Sequence, residues 1–297
     1  MKQVTIVTDS LACLPKEYVA QYKIGILPIN FYCGGKVYRD WIDVTPSEAY
    51  QLFLKDPETF KSSAASPEDV IKVYRESSQQ AKNILCITVS RKLSTTYNVA
   101  LSATEIVKAE LPGTRITVMD SYTATNAEGF VALAAARAAE EGKELPEVIK
   151  AAEAVQKKIN CIFLLDTIRY VYRSGRLPKV AARAASMLNI RPILTVTSGL
   201  VRFNGAVRSR SHGIERLLNM MRDKVKDNPV HVSLAHAYAL DEAEKLIGRI
   251  ASEFHCAELW LTELSPLIGY ACGTGTLGLA FYTESSPSSN PSLMSPD

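Results

Sequence analysis

Three loops of this 297-residue chain carry side chains that could recognise an anion. They are Thr8-Asp9-Ser10, Ser62-Ser63, and the run Ser90-Arg91-Lys92-Leu93-Ser94-Thr95-Thr96-Tyr97. Hydroxyls and backbone N–H groups at helix starts can hold a carboxylate or phosphate without moving a proton. The same residues also serve as ordinary helix caps, and any one loop alone reads equally well that way. Three loops of one composition favour an oxyanion site. Arg173, Arg176, Arg208 and Arg210 flank Gly and Ser turns, so they read as solvated surface or as a cluster gripping an anionic partner. Gly273-Thr274-Gly275-Thr276-Leu277-Gly278 matches G-x-G-x-x-G by letter, yet too little chain follows for the second strand and acid of a dinucleotide site. It reads instead as a loop lining an anion pocket or as a tight turn before a last strand. Asp120 reads as a turn or cap residue and His236 as a structural histidine. The four histidines (His212, His231, His236, His255) show no metal spacing, and the six cysteines include no C-x-x-C pair, so no metal or cofactor is expected.

The elements that must hold these loops alternate between strand and helix. Apolar, β-branched runs predict strands over 4–8, 25–31, 84–89 and 115–119, and Gly34-Gly35 predicts a hairpin turn into Val37-Tyr38. Ser66-Pro67-Glu68-Asp69 combines an N-cap, a first-turn proline and early acids, so a helix should follow with Val70, Val73 and Tyr74 inward. A helix from Ser94 should bury Val99, Ile106 and Val107. An Ala-rich helix over 126–141 should stop at Gly142, and another over 146–160 should lead into a strand over 161–165. Beyond it the pattern predicts a hairpin, 193–197 and 200–203 about Ser198-Gly199, with Asn204-Gly205 as a further turn. A helix (214–225), a strand (230–235), a helix (241–254) and a strand (257–262) complete the series.

Such alternation predicts an α/β fold of two α/β domains. The N-terminal one, 1–158, should be a mainly parallel sheet with helices on both faces. The C-terminal one, 159–284, should be a mixed sheet with helices. Residues 285–297, rich in Ser and Pro, are expected to be a disordered tail. The composition is that of a folded protein: 34 Lys+Arg against 31 Asp+Glu, net charge +3, 47% hydrophobic. That balance gives no footprint for nucleic acid, and no apolar run approaches the roughly 20 residues of a membrane helix. The cytoplasm, with reduced thiols, is the expected compartment.

From its residues alone the chain is an anion-recognising α/β protein without visible catalytic machinery. The three loops, taken with Val118-Met119-Asp120-Ser121, Tyr172-Arg173-Ser174-Gly175-Arg176-Leu177, Asn189-Ile190-Arg191-Pro192-Ile193-Leu194 and Gly269-x-x-x-Gly273-x-Gly275, resemble the DegV family of bacterial fatty-acid-binding proteins. The resemblance implies a non-enzymatic protein whose two domains enclose one long-chain fatty acid. It also implies, as in some members, presentation of the carboxylate to a fatty-acid kinase, whose acyl phosphate serves phospholipid synthesis. It puts the carboxylate on Ser62 and Ser94, with Ser63 and Thr95 beside them. Arg176, Arg208, Ala271 and Gly273 become headgroup-vicinity or kinase-contact positions. The chain departs from the family at three points: Thr95 stands for a glycine, Ser174-Gly175-Arg176 for Gly-Gly-Arg, and Ala271 for a histidine. Leu27, Phe31, Leu164, Met187, Met220 and Met221 are candidates to line an apolar tunnel, or equally to pack a core. The rival expectation is a hydrolase or group-transfer enzyme acting on a small acidic metabolite in a short polar pocket, with Asp9, Ser94 and Asp120 catalytic.

Overall fold

The computed structural model describes residues 2–167, 169–176 and 190–284. The expected tail (285–297) and Met187 lie outside these residues. The first half runs β1 (Lys2–Asp9), α1 (Lys16–Tyr22), β2 (Gly25–Leu27), β3 (Asn30–Cys33), β4 (Lys36–Arg39), α2 (Pro46–Lys55) and β5 (Lys61–Ser62). It continues with α3 (Pro67–Ser78), β6 (Ala81–Thr88), α4 (Thr96–Val107), β7 (Arg115–Asp120), α5 (Thr125–Glu140) and α6 (Leu145–Gln156). The second half holds β8 (Asn160–Leu164), α7 (Arg169–Ser174), β9 (Arg191–Thr197), β10 (Leu200–Val207) and α8 (Arg210–Val225). It ends with β11 (Val230–His236), α9 (Leu240–Glu253), β12 (Cys256–Glu263), α10 (Pro266–Cys272) and β13 (Leu277–Thr283).

Two main sheets result. The first is all parallel in the order β2-β1-β6-β7. Its central strands are buried on both faces, which is why β1 reads as a continuous apolar run instead of an alternating one. The second is mixed, β10-β9-β8-β13-β11-β12, with β11 and β12 its one parallel pair. A small antiparallel sheet, β4-β3-β5, stands beside the first. The fold is therefore α/β, with a parallel sheet and a mixed sheet as expected.

Helix α5 lies between the two main sheets, packing on β1 to one side and on β11 and β13 to the other. A helix covered all round must be apolar all round, and 13 of its residues are buried. Its alanines let both sheets come close. A Cβ on Gly129 would stand 2.5 Å from the Ala12 carbonyl oxygen. The polar residues of α5 are spent on the sheets: Asn126 Nδ2 donates to Ser233 O at 2.9 Å and Gly278 O at 3.2 Å. Helices α8 and α9 cover the far face of the mixed sheet, closing a second core around Leu164, Leu217 and Met221. Among the described residues no helix is long and apolar enough to cross a membrane.

Three local expectations fail. The run 25–31 is not one strand: it breaks at Pro28 into β2 and β3, which enter different sheets. Asn204-Gly205 makes no turn; it sits inside β10 as a bulge, where the register shifts between Phe203 and Ala206. The hairpin is already closed by Ser198-Gly199, both at positive φ, and a bulge takes the same left-handed glycine that a turn would. Ile106 is 53% exposed, because α4 turns Ala100, Ala103 and Val107 inward instead.

Candidate functional site

Strand ends and helix starts from both halves converge on one interior cavity of about 510 Å³. Its polar end is built from two of the three hydroxyl loops. Strand β5 joins the edge of β3, Ser62 pairing with Phe31, and Ser63 N–H donates to Asn30 O at 2.8 Å. The chain leaving β6 folds back on itself, with Leu93 N–H and Ser94 N–H both donating to Ser90 O at 2.9 and 3.1 Å. Thr96 N–H donates to Ser94 Oγ at 3.3 Å, while Thr95, the N-cap of α4, makes no side-chain cap bond. No acidic residue occupies the first turn of α4. Its N–H groups and positive dipole end therefore face the cavity without an internal anion, an arrangement suited to an external one.

The second half of the chain fixes this loop. Ser90 Oγ donates to Gly199 O at 3.0 Å, and Lys92 Nζ donates to Ser198 O at 2.9 Å. Arg176 reaches over from the end of α7, its Nε donating to Leu93 O at 3.3 Å and Nη1 to Ser174 O at 2.6 Å. Beyond the hydroxyls the wall turns apolar, with Leu11, Val89, Phe163, Leu194, Val196 and Leu267 among its residues.

This geometry can be set beside known proteins. The family model described as "Uncharacterised protein, DegV family" matches residues 3–284. The chain belongs to the DegV family. It is 29% identical over 282 residues to a DegV domain-containing protein of Clostridium acetobutylicum, covering 95% of this chain and 98% of that one. A solved fatty-acid-binding DegV family protein from Thermus thermophilus superposes with a TM-score of 0.86, at 29% identity over 96% of this chain and 100% of that chain. A stearic-acid-binding protein from Eubacterium ventriosum gives 0.86 at 25% identity, over 95% and 98%.

In this DegV chain Ser62, Ser63, Ser94, Thr95, Arg176 and Ala271 all line the cavity. Ser62 and Ser94 are half-buried, whereas Ser63, Thr95 and Arg176 are exposed at its mouth. Arg208 and Gly273 lie off its wall. Arg208 is exposed, with its carbonyl accepting from Arg191 Nη1 at 3.5 Å. Gly273 caps α10 at φ 90°, its α-carbon so near the Tyr170 ring that a Cβ would sit 2.7 Å from it. Arg210 is committed to ion pairs with Asp166 and Glu242 and to the Gly275 carbonyl, and the Arg173 side chain lies outside the described residues.

The third hydroxyl loop does a different job. Thr8 donates to Glu128 at 3.2 Å, Asp9 accepts from Leu11 N–H and Val89 N–H at 3.0 and 2.8 Å, and Ser10 Oγ accepts from Ile29 N–H at 3.2 Å. Burial pushes the Asp9 carboxyl up to about 7 and raises Glu128 beside it. These groups hold β1 to its neighbours. The residues of the enzymatic rival are not brought together, since only Ser94 of the three reaches the cavity. Neither Asp9 nor Asp120 lines the cavity: Asp120 Oδ1 is taken by Tyr122 N–H at 2.8 Å, and Oδ2 lies 3.4 Å from Arg91 Nε. The glycine-rich run is the tight turn into β13, Thr276 Oγ1 donating to Gly273 O at 2.8 Å. His236 is buried, accepts from Ala239 N–H at 3.3 Å, and burial lowers its pKa.

The expected apolar lining needs correcting. Leu27 is core, and Phe31 stacks between Phe60 at 4.7 Å and Tyr38 at 5.2 Å. Leu164 and Met221 belong to the second core, and Met220 borders a separate groove. Strand parity explains Leu164, since its neighbour Phe163 faces the cavity and consecutive side chains point to opposite faces. Of the wall given by α10 the sequence expectation includes Ala271 but neither Leu267 and Ile268 nor the helix itself, although Ser265-Pro266 is a helix-start signal.

Proposed function

We propose that the protein is a carrier that binds one long-chain fatty acid in this cavity, between the half spanning 1–158 and the half spanning 159–284. Ser62 and Ser94 take the carboxylate, with Ser63 and Thr95 beside it. The observation that carries this reading is an apolar interior space whose polar end is an acid-free helix start ringed by hydroxyls. The fatty-acid-binding relatives of the same fold support it.

Burying about 15 methylenes at roughly 0.8 kcal/mol each gives on the order of 12 kcal/mol before association and ordering costs. The acyl tail supplies most of the affinity and the hydroxyls supply orientation. The mouth, where Lys92, Thr95 and Arg176 are exposed, leaves the head within reach of a second protein. We propose that this second protein, the carrier's partner, is a fatty-acid kinase acting on the carboxylate. Native mass spectrometry of delipidated protein with added palmitate or oleate tests the first claim. A one-to-one complex is expected, and the absence of any complex would refute the reading. Ser94→Ala should retain the complex but weaken it roughly tenfold to a hundredfold, the worth of one hydrogen bond to an ionised head. Acyl phosphate formed with a kinase from the same cell tests the second claim.

A further inference from the structure

We infer that Val196 is the partition that limits acyl length, standing between the cavity and a separate groove into which a longer chain would run. The inference rests on the fatty-acid reading. The groove measures about 580 Å³ and lies at the start of β8, between the C-terminal ends of α6 and α8. Among the described residues, Val196 is the one side chain that borders both spaces.

Its neighbours divide cleanly. On β8, Phe163 lines the cavity, whereas Cys161, two residues away on the same face, lines the groove. Between β7 and the first residue of α5, Thr123 lines the groove, and Ala124 and Thr125 line the cavity. Cys161 Sγ closes this seam, 3.7 Å from Ala124 O and 3.9 Å from Thr125 Oγ1. The remaining closure is the isopropyl group of Val196, which is 8% exposed. Beyond it Ile159, Ile162 and Met220 offer apolar surface to a methyl end, and the exposed Lys157 and Lys224 mark where the groove meets water. The carboxylate end of the ligand is fixed at Ser62 and Ser94 in this reading, so added methylenes extend along the apolar wall that includes Val196.

The fold supplies its own control. Val201 pairs directly with Val196 across the β9–β10 hairpin and lines the cavity without touching the groove. Val201→Ala therefore removes the same two methyl groups from the same wall and opens nothing. The test is competition among laurate, myristate, palmitate, stearate and arachidate at equal concentration, read by native mass spectrometry of the delipidated full chain. Each methylene that finds apolar surface tightens binding about fourfold. Val196→Ala should extend the length limit by two methylenes or more, enriching the longer acids more than tenfold over wild type. Val196→Phe should shorten the limit, and Val201→Ala should leave it in place; the opposed shift keeps the test decisive if one variant folds poorly. Wild type that takes up none of the acids overturns the fatty-acid reading and this inference with it. Wild type that binds, with a limit unmoved by both Val196 substitutions or moved as far by Val201→Ala, overturns the inference alone.

Discussion

Gly199 is where the second half of the chain meets the headgroup loop most closely. It sits at φ 77°, and a Cβ there would stand 2.3 Å from Ser90 Oγ. Ser90 in turn accepts the N–H groups of Leu93 and Ser94 through its carbonyl, so anything that moves Ser90 moves Ser94. Gly199→Ala should thus do two separable things. It should cost roughly 1–2 kcal/mol of stability for the left-handed backbone, measurable as a lowered urea midpoint. It should also weaken fatty-acid binding, although residue 199 lies outside the cavity lining. Unchanged binding in a destabilised variant would mean that Ser94 is held by α4 alone. Much of this was legible beforehand, since hydroxyls bracketed by helix starts mark Ser62 and Ser94 in the sequence. What could not be read was which of three similar loops turns inward. That depends on Glu128 and Ile29, partners 120 and 19 residues away from Thr8 and Ser10.

At the scale of elements, the alternation of strand and helix is the strongest signal in the chain, and it follows from a physical constraint. A parallel sheet needs crossover helices, and both must carry apolar faces of the right period. Short elements escape that signal. Helix α10 has seven residues and little room for a period, and the bulge in β10 uses a dipeptide that also makes turns. Helix α2 could have been found, because Thr45, Pro46 and Glu48 form a capping box with a first-turn proline. Helix α5 gives the clearest test of context over propensity. In an exposed helix, Gly→Ala gains up to about 1 kcal/mol. Here the added methyl of Gly129→Ala would meet the Ala12 backbone, which cannot swing aside as a side chain can. Overpacking of this kind costs roughly 1–3 kcal/mol, so the midpoint of chemical unfolding should fall. A rise would show that α5 can shift between the two sheets.

The whole molecule is tied together by buried polar groups whose charge state matters for its pH response. Asp40, at the end of the small sheet, accepts the Ser265 hydroxyl at 2.6 Å, and Ser265 begins the helix that walls the cavity. Burial, opposed by hydrogen bonds from Ser265, Ser10 and Trp41, pushes the Asp40 carboxyl up to about 6. Asp9 and Glu128, sharing the interior with it, are raised as well. A carboxyl with a raised folded-state pKa holds its proton more tightly in the folded chain than in the unfolded one. Its contribution is complete below the unfolded value near 4 and is lost as pH rises through the folded value. Glu258 works in the opposite sense: paired with Arg137 and His231 it is held down to about 2 against the cost of burial, so its contribution is full above the ordinary value of 4.5 and is lost as pH falls to about 2. Between pH 4 and 7 the buried acids govern, and thermal stability should decline as pH rises. Asp40→Asn removes one titrating group while keeping an oxygen for Ser265, so its melting curve should lose part of that slope, worth on the order of 3 kcal/mol across the window. Melting temperatures of both proteins in matched buffers would decide it. A wild-type profile that climbs from pH 4 to 7, or an Asp40→Asn profile parallel to wild type, would show that Asp40 carries no such proton.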